Sequence, residues 1–168
     1  MGFKQTSETI AVSFGLDEAI ANTFIQEEIA LQLDILNNEV FVVLAVDMDL
    51  ETPDAIAGVN TSVTASLSTT SQTNLVSLAD SNCLTNASEA IRAVGFVDSG
   101  VGFSRGATST YIGEVDYIGI IATNNFFIQL RGGSNLGPKG VTGRMWGYRA
   151  KADSSTYAAL VQSEVLSA

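Results

Sequence analysis

Histidine is absent from the chain, and with it go the usual general base, the commonest metal ligand and every Ser-His-Asp or Cys-His arrangement. A single cysteine, Cys83, excludes an internal disulfide and a cysteine-rich metal centre; it reads as a small buried apolar residue rather than a reactive thiol. Charge is scarce: 15% of the residues are charged, against roughly 25% in an average soluble domain. Basic charge is scarcest, with 8 Lys and Arg against 18 Asp and Glu and a formal net charge of −10. Nucleic acid and anionic membranes both reward Lys and Arg, so neither is expected as a direct partner. The longest uninterrupted apolar run, 40–46, has seven residues, far short of the ~20 that span a bilayer as a helix. The first residues, MGFKQTSET, carry no apolar segment of the signal-peptide kind, which predicts synthesis in the cytoplasm without export.

What is present belongs to a folded domain. At 168 residues and 46% hydrophobic, the chain is long enough for one domain, 1–168, with a core that needs no metal or disulfide. So little charge is left to cover a monomer that part of its surface is expected to be hidden in a homo-oligomer. The segment 28–50 dominates the pattern. Apolar residues fall on odd numbers up to Ile35 and on even numbers from Val40 to Leu50, a period of two on either side of Asn37 and Asn38. A two-residue turn at that pair would make a hairpin with Leu33 opposite Val42 and Glu28 opposite Asp47. The other reading sends the two strands into different sheets, with the Asn pair turning the corner. A second pair, Asn124 and Asn125, suggests a similar hairpin joining Ile121 to Ile128.

Residues 1–14 read as an arm or first strand, and 61–73 as a strand with a hydroxyl-rich outer face. The stretch 74–92 fits either short helices or an excursion loop. Around 94–103 the sequence suggests strand, turn, strand, and 141–151 a last strand with Trp146 and Tyr148 on one face. Residues 154–168 form the one helical pattern, with Tyr157, Leu160, Val161, Val165 and Leu166 near one stripe. Short strands separated by loop signals, without alternating helices, predict an all-β, antiparallel β-sandwich with a short C-terminal helix.

Candidate sites are few. Asp47, Asp49 and Glu51 alternate along a strand and are a weak candidate for a calcium site. The spacing opens like a calcium loop, but Thr52 holds the position that needs glycine and Gly58 the position of the closing carboxylate. A solvated strand end is the simpler reading. Five of the eight basic residues follow position 130, interleaved with Trp146 and Tyr148; against so acidic a chain this points to contact with an acidic neighbouring subunit. The subunit-contact candidates are therefore Arg144, Trp146, Tyr148 and Arg149, together with Phe41 and Val43, which lie opposite the even-numbered stripe. The glycine-rich pieces SGVGFSRG and RGGSNLGPKG open no βαβ unit and read as turns. No residue is assigned to catalysis or to a cofactor.

A His-free, charge-poor β-sandwich with Ser/Thr-rich strands and a glycine-spaced final strand, GRMWGYRAKAD, resembles the small single jelly-roll capsid proteins of tailless icosahedral viruses, including those that enclose a membrane. The resemblance lies in style and rests on no diagnostic motif. It implies about eight strands in two sheets, a place in the virion, and self-assembly into a shell without catalysis. It further implies homo-oligomeric contacts, a possible second capsid protein, and a possible underlying virion membrane or membrane protein. The arm and the helix 154–168 are the natural elements to reach neighbours. A direct hairpin at Asn37 and Asn38 departs from this pattern, because consecutive jelly-roll strands mostly cross between sheets. Rival expectations are a phage tail, decoration or receptor-binding protein, and a carbohydrate-binding module using Trp146, Tyr148 and Tyr111.

Overall fold

The computed structural model describes residues 3–95, 103–108 and 116–166. Ten strands are followed by one helix: β1 (Phe3–Gln5), β2 (Ile10–Asp17), β3 (Ile25–Ala30), β4 (Glu39–Leu50), β5 (Thr61–Ser68), β6 (Cys83–Arg92), β7 (Phe103–Thr108), β8 (Gly119–Ile121), β9 (Asn125–Gly133), β10 (Gly140–Ala152) and α1 (Ser154–Leu166). They form two antiparallel five-stranded sheets. In the first, β1 and β2 share one edge of β10, followed by β4 and β8; the second runs β3, β9, β5, β6, β7.

The pairings nest. β5 pairs with β6, β4 with β8, β3 with β9 and β2 with β10, each pair enclosing the one before, with β7 added at the edge of β6. A long hairpin rolled so that successive pairs alternate between sheets gives this order, and it is the connectivity of a jelly roll. From β2 to β5 and from β7 to β10 consecutive strands therefore cross from sheet to sheet, and neither Asn-Asn pair makes a hairpin. β3 pairs with β9, bringing Glu28 opposite Phe127, while β4 pairs with β10, bringing Asp47 opposite Arg144. The expected proximity of Glu28 and Asp47 is lost. Likewise Ile121 lies opposite Phe41 and Ile128 opposite Leu67.

The corner at 31–38 is built by backbone that a two-residue turn does not need. Gln32 and Asn38 both have positive φ, 54° and 57°, on either side of a 3₁₀ turn at Ile35–Asn37. The second Asn pair ties into the first corner: the Leu31 amide donates to the Asn124 carbonyl (2.9 Å), and the Leu33 amide donates to the Asn124 side chain. Arg149 clamps the same corner, donating to the carbonyls of Leu31 and Gln32 (both 2.9 Å) and to Glu39 Oε1 (3.0 Å).

β4 is apolar on both faces because both are covered. Phe41 and Val43 point between the sheets with Met145, Val63, Leu67, Phe126 and Ile128. Val40 and Val42 point outward, with Ala150 and Ala152, beneath Tyr157, Leu160 and Val161 of α1. Leu44 has no partner on β10, since Val43 opposes Gly147 and Ala45 opposes Trp146. This β-bulge moves the inward set from odd to even numbers, so Val46, Met48 and Leu50 complete the inner face. A Cβ at Gly147 would collide with the Val42 carbonyl and the Phe41 ring, so the bulge needs glycine there. Phe41 and Val43, expected at the surface, are thus core residues, 1% and 0% exposed.

Of the stretch 74–92, the excursion-loop reading holds for 74–82, part of the loop 69–82, whereas 83–92 is strand β6 rather than helix or loop. The loop lies over the outer face of the second sheet and meets its hydroxyl-rich strand. The Val76 amide donates to Ser66 Oγ (3.2 Å), and buried Gln129 links Ser66, Ser68 and Gln26. The turn expected at 98–100 and Tyr111 lie outside the described residues.

The arm and the helix both pack on their own chain. β1 pairs with the end of β10, and α1 is capped by Asp153, whose carboxylate accepts from the Thr156 amide (2.8 Å). No helix of the described residues is long and apolar enough to cross a membrane.

Candidate functional site

Beyond the bulge, the outer face of the first sheet is not covered by α1. Three strands place their side chains there in rows: Ala11, Trp146 and Ala45, then Ser13, Arg144 and Asp47, then Gly15, Thr142 and Asp49. The rows border a groove of about 430 Å³ lined by Ser13, Asp47, Asp49, Thr142, Arg144 and Trp146. Its floor at Gly143 carries no side chain, and the Phe14 ring occupies the space where a Cβ would sit. Arg144 Nε donates to Ser13 Oγ (3.2 Å) and faces Asp47 in register.

Asp47, Asp49 and Glu51 do share a face, but they do not converge. Alternate residues on a strand are ~6.6 Å apart along the chain, whereas calcium ligands must reach within ~2.6 Å of one ion. Glu51 is also engaged elsewhere, accepting from the Gly140 amide (3.0 Å) with Lys139 Nζ at 3.8 Å. Among the described residues no three acidic or thiol side chains are placed to hold a metal. Of the contact candidates, Arg144 is exposed and Trp146 partly so beside it. Tyr148 packs under α1, and Arg149 holds the 31–38 corner. The two therefore do not join Trp146 in one patch, and of the aromatic platform expected of a carbohydrate-binding module Trp146 alone among the described residues borders the groove.

The end of the sandwich formed by the β2–β3 and β9–β10 loops is tied by a buried carboxylate that sequence reading did not single out. Glu18, 4% exposed, accepts from the amides of Thr23 (2.9 Å), Gly132 (3.0 Å) and Lys139 (2.9 Å). Beside it the Asn22 side chain holds the Asn135 backbone, its Nδ2 donating to the Asn135 carbonyl (2.9 Å) and its Oδ1 accepting from the Asn135 amide (2.8 Å). Lys139 Nζ lies 2.8 Å from Asp54, whose carboxyl this contact holds below the usual range, helped by the Leu136 amide. Glu18→Ala would strand three amide donors, at about 1–3 kcal/mol for each that water cannot reach. A loss of at least about 3 kcal/mol in urea unfolding is expected, and an unchanged midpoint would show that water replaces the carboxylate.

Large apolar side chains stand out at both ends. Ile20 and Leu136 emerge from the loops tied by Glu18, and Ile35 and Leu36 from the 31–38 corner at the opposite end; Leu36 is 92% exposed and Leu136 82%. Cys83 is half-buried, and burial, with Asp80 nearby, pushes its thiol up to about 11. It stays protonated at neutral pH, which disfavours the reactive reading. Compared with known proteins, the chain matches no family model and no curated sequence.

Proposed function

We propose that the chain is a virion structural protein, a capsid subunit that self-assembles into a closed shell and carries out no catalysis. The observation that carries this reading is where the free apolar groups lie. Each sheet's outer face is covered in part from within the chain, by α1 on one side and the 69–82 loop on the other. The exposed Ile20, Leu136, Ile35 and Leu36 are at the two ends, where lateral neighbours in a single layer would meet, while Leu78 on the 69–82 loop and Leu166 at the end of α1 are further apolar groups open to a neighbour. Burying one such side chain against a neighbour is worth about 1.5–3 kcal/mol, and a shell repeats each contact in every copy, so weak pairs suffice. A net charge of −10 opposes association until salt screens it. A homo-oligomer is the partner first implied; a second capsid protein or an underlying membrane protein would meet the remaining end. Electron microscopy of the purified chain at raised protein and salt concentration tests the reading. Closed particles are expected, whereas dispersed monomers under all conditions, alone and with co-expressed virion proteins, would reject it.

The groove supports a second reading, carbohydrate binding, because Trp146 there borders Asp47, Asp49 and Arg144 in the aromatic-plus-carboxylate style of sugar sites. Trp146 is the sole tryptophan, so saturable quenching of its fluorescence by a sugar would favour this reading over the first.

A further inference from the structure

The first sheet ends on β2, whose outer edge meets no strand among the described residues. Open sheet edges invite pairing, and folded proteins keep them short, charged or covered. β8 has three residues, and β3 exposes Glu27 and Glu28. β2 has eight residues and carries its sole charge on the last of them, Asp17, while Ala11, Ser13 and Gly15 are exposed. The Glu18 amide donates to the Lys139 carbonyl (2.9 Å) and continues the register that sets Asp17 opposite Gly140. Even-numbered residues of β2 therefore turn their backbone groups towards β10, and Ala11, Ser13, Gly15 and Asp17 turn theirs outward.

Two side chains on this edge indicate what fits it. Gly15 is not required by its own chain, because a Cβ there would meet nothing nearer than the Val141 carbonyl at 3.5 Å. Glycine inside a strand weakens it, and a close approach by another backbone is one of its recurrent reasons. Arg144 is exposed and lies against Ser13, and it pairs with no carboxylate among the described residues. Asp17, equally without an ion pair, lines a shallow groove with Asp49 and Glu51. We propose that the β2 edge binds the β2 edge of a second copy of this chain, antiparallel about a two-fold axis at Phe14. Ser13 then opposes Gly15 of the second copy, and Ala11 opposes its Asp17. The outward residues exchange about eight backbone hydrogen bonds. The bare glycine lets Arg144 reach across to Asp17 of the second copy, and symmetry forms that ion pair twice. A slip of two residues would set Ser13 against Ser13 and bring the two Arg144 side chains towards each other, so charge selects the register. On the inner face the half-buried Val12 and Phe14 meet Leu16 and Phe14 of the second copy. This contact runs along the flank of the sandwich rather than its ends, so it stands whether or not a shell forms.

Sedimentation velocity of the purified chain over a dilution series at ~0.15 M salt tests the contact. A species of about twice 17.6 kDa is expected, as the end point or as the smallest unit above the monomer. Arg144→Glu and Asp17→Lys should each weaken dimerisation about tenfold or more, because each sets like charges together at two symmetric places. The double variant should recover it. Gly15→Val has room in the single chain and suits a strand, so it should weaken the dimer without lowering the melting temperature. Amide hydrogen exchange supplies a readout that needs no variant. The amides of Ala11, Ser13 and Gly15 should gain protection as concentration rises, while those of Val12 and Phe14 are protected throughout. The proposal is overturned by a monomer at every concentration, by a dimer that the folded charge variants do not weaken, or by outward amides that exchange equally fast in monomer and dimer.

Discussion

Phe41→Ala is expected to lower stability by about 3–5 kcal/mol, the range for deleting a buried aromatic side chain from a packed core. Phe41 is 1% exposed, lies opposite Ile121 in the first sheet and packs in the cluster that both sheets share. For a chain of this length each kcal/mol moves the midpoint by ~2–4 °C, so thermal unfolding should fall by roughly 6–20 °C. Leu36→Ala is the matched control: at 92% exposed it has little to lose within one chain, and a change within ~0.5 kcal/mol is expected. Should Phe41→Ala melt with the wild type, Phe41 would be a surface residue and β4 would face the other way.

Removal of 154–168 is expected to abolish the soluble folded monomer, not merely its assembly. The helix covers Val40, Val42, Ala150 and Ala152, all at most 2% exposed, through Tyr157, Leu160 and Val161. At about 1.5–3 kcal/mol per large apolar side chain, the three helix residues alone supply some 5–9 kcal/mol. That is an upper estimate, because the unfolded chain already hides part of this surface, yet it is comparable to the whole stability of a typical domain, about 5–15 kcal/mol. Recovery of soluble protein with a native melting curve after truncation would contradict this packing and return the helix to the role of an external tail.

The two ends of α1 respond to acid in opposite directions. The Thr156 amide, with the hydroxyls of Thr156 and Ser155, holds the Asp153 carboxyl below its ordinary 3.8. That contribution is present above 3.8 and disappears as pH falls through the lower folded value. Burial holds Glu164 above its ordinary 4.5. Its ionisation opposes folding at neutral pH, and that penalty is relieved as pH falls through the raised folded value towards 4.5.

The β-sandwich class, the terminal helix and most strand positions were legible because alternation of apolar and polar residues survives in β5, β9 and the ends of β4 and β10. The faces of β4 were not. The run VFVVLAV reads equally well on either parity, and the bulge at Leu44 changes parity midway. Its freedom from polar residues was the available signal that both faces are buried. The Asn-Asn pairs illustrate a different limit: asparagine marks a left-handed position, which Asn38 does adopt, but the same conformation serves a hairpin and a sheet-crossing corner. Only the pairing of distant strands, β3 with β9 and β4 with β10, decides between them. The acidic alternation at Asp47, Asp49 and Glu51 was read on the correct face, whereas the burial of Glu18, Thr69 and Glu164 depends on loops and a helix meeting from opposite ends of the chain and leaves no local pattern.

The mass of the chain in solution, followed by light scattering as protein and salt concentrations rise, tests the assembly claim most directly. Growth to megadalton particles is expected for the wild type, with growth lost in a Leu36→Lys, Leu136→Lys double variant that keeps the wild-type melting temperature. Unlimited growth that the double variant shares would contradict contact through the ends of the sandwich. A wild-type mass that stays at the monomer's 17.6 kDa or at a fixed small oligomer under all conditions would contradict self-assembly into a shell.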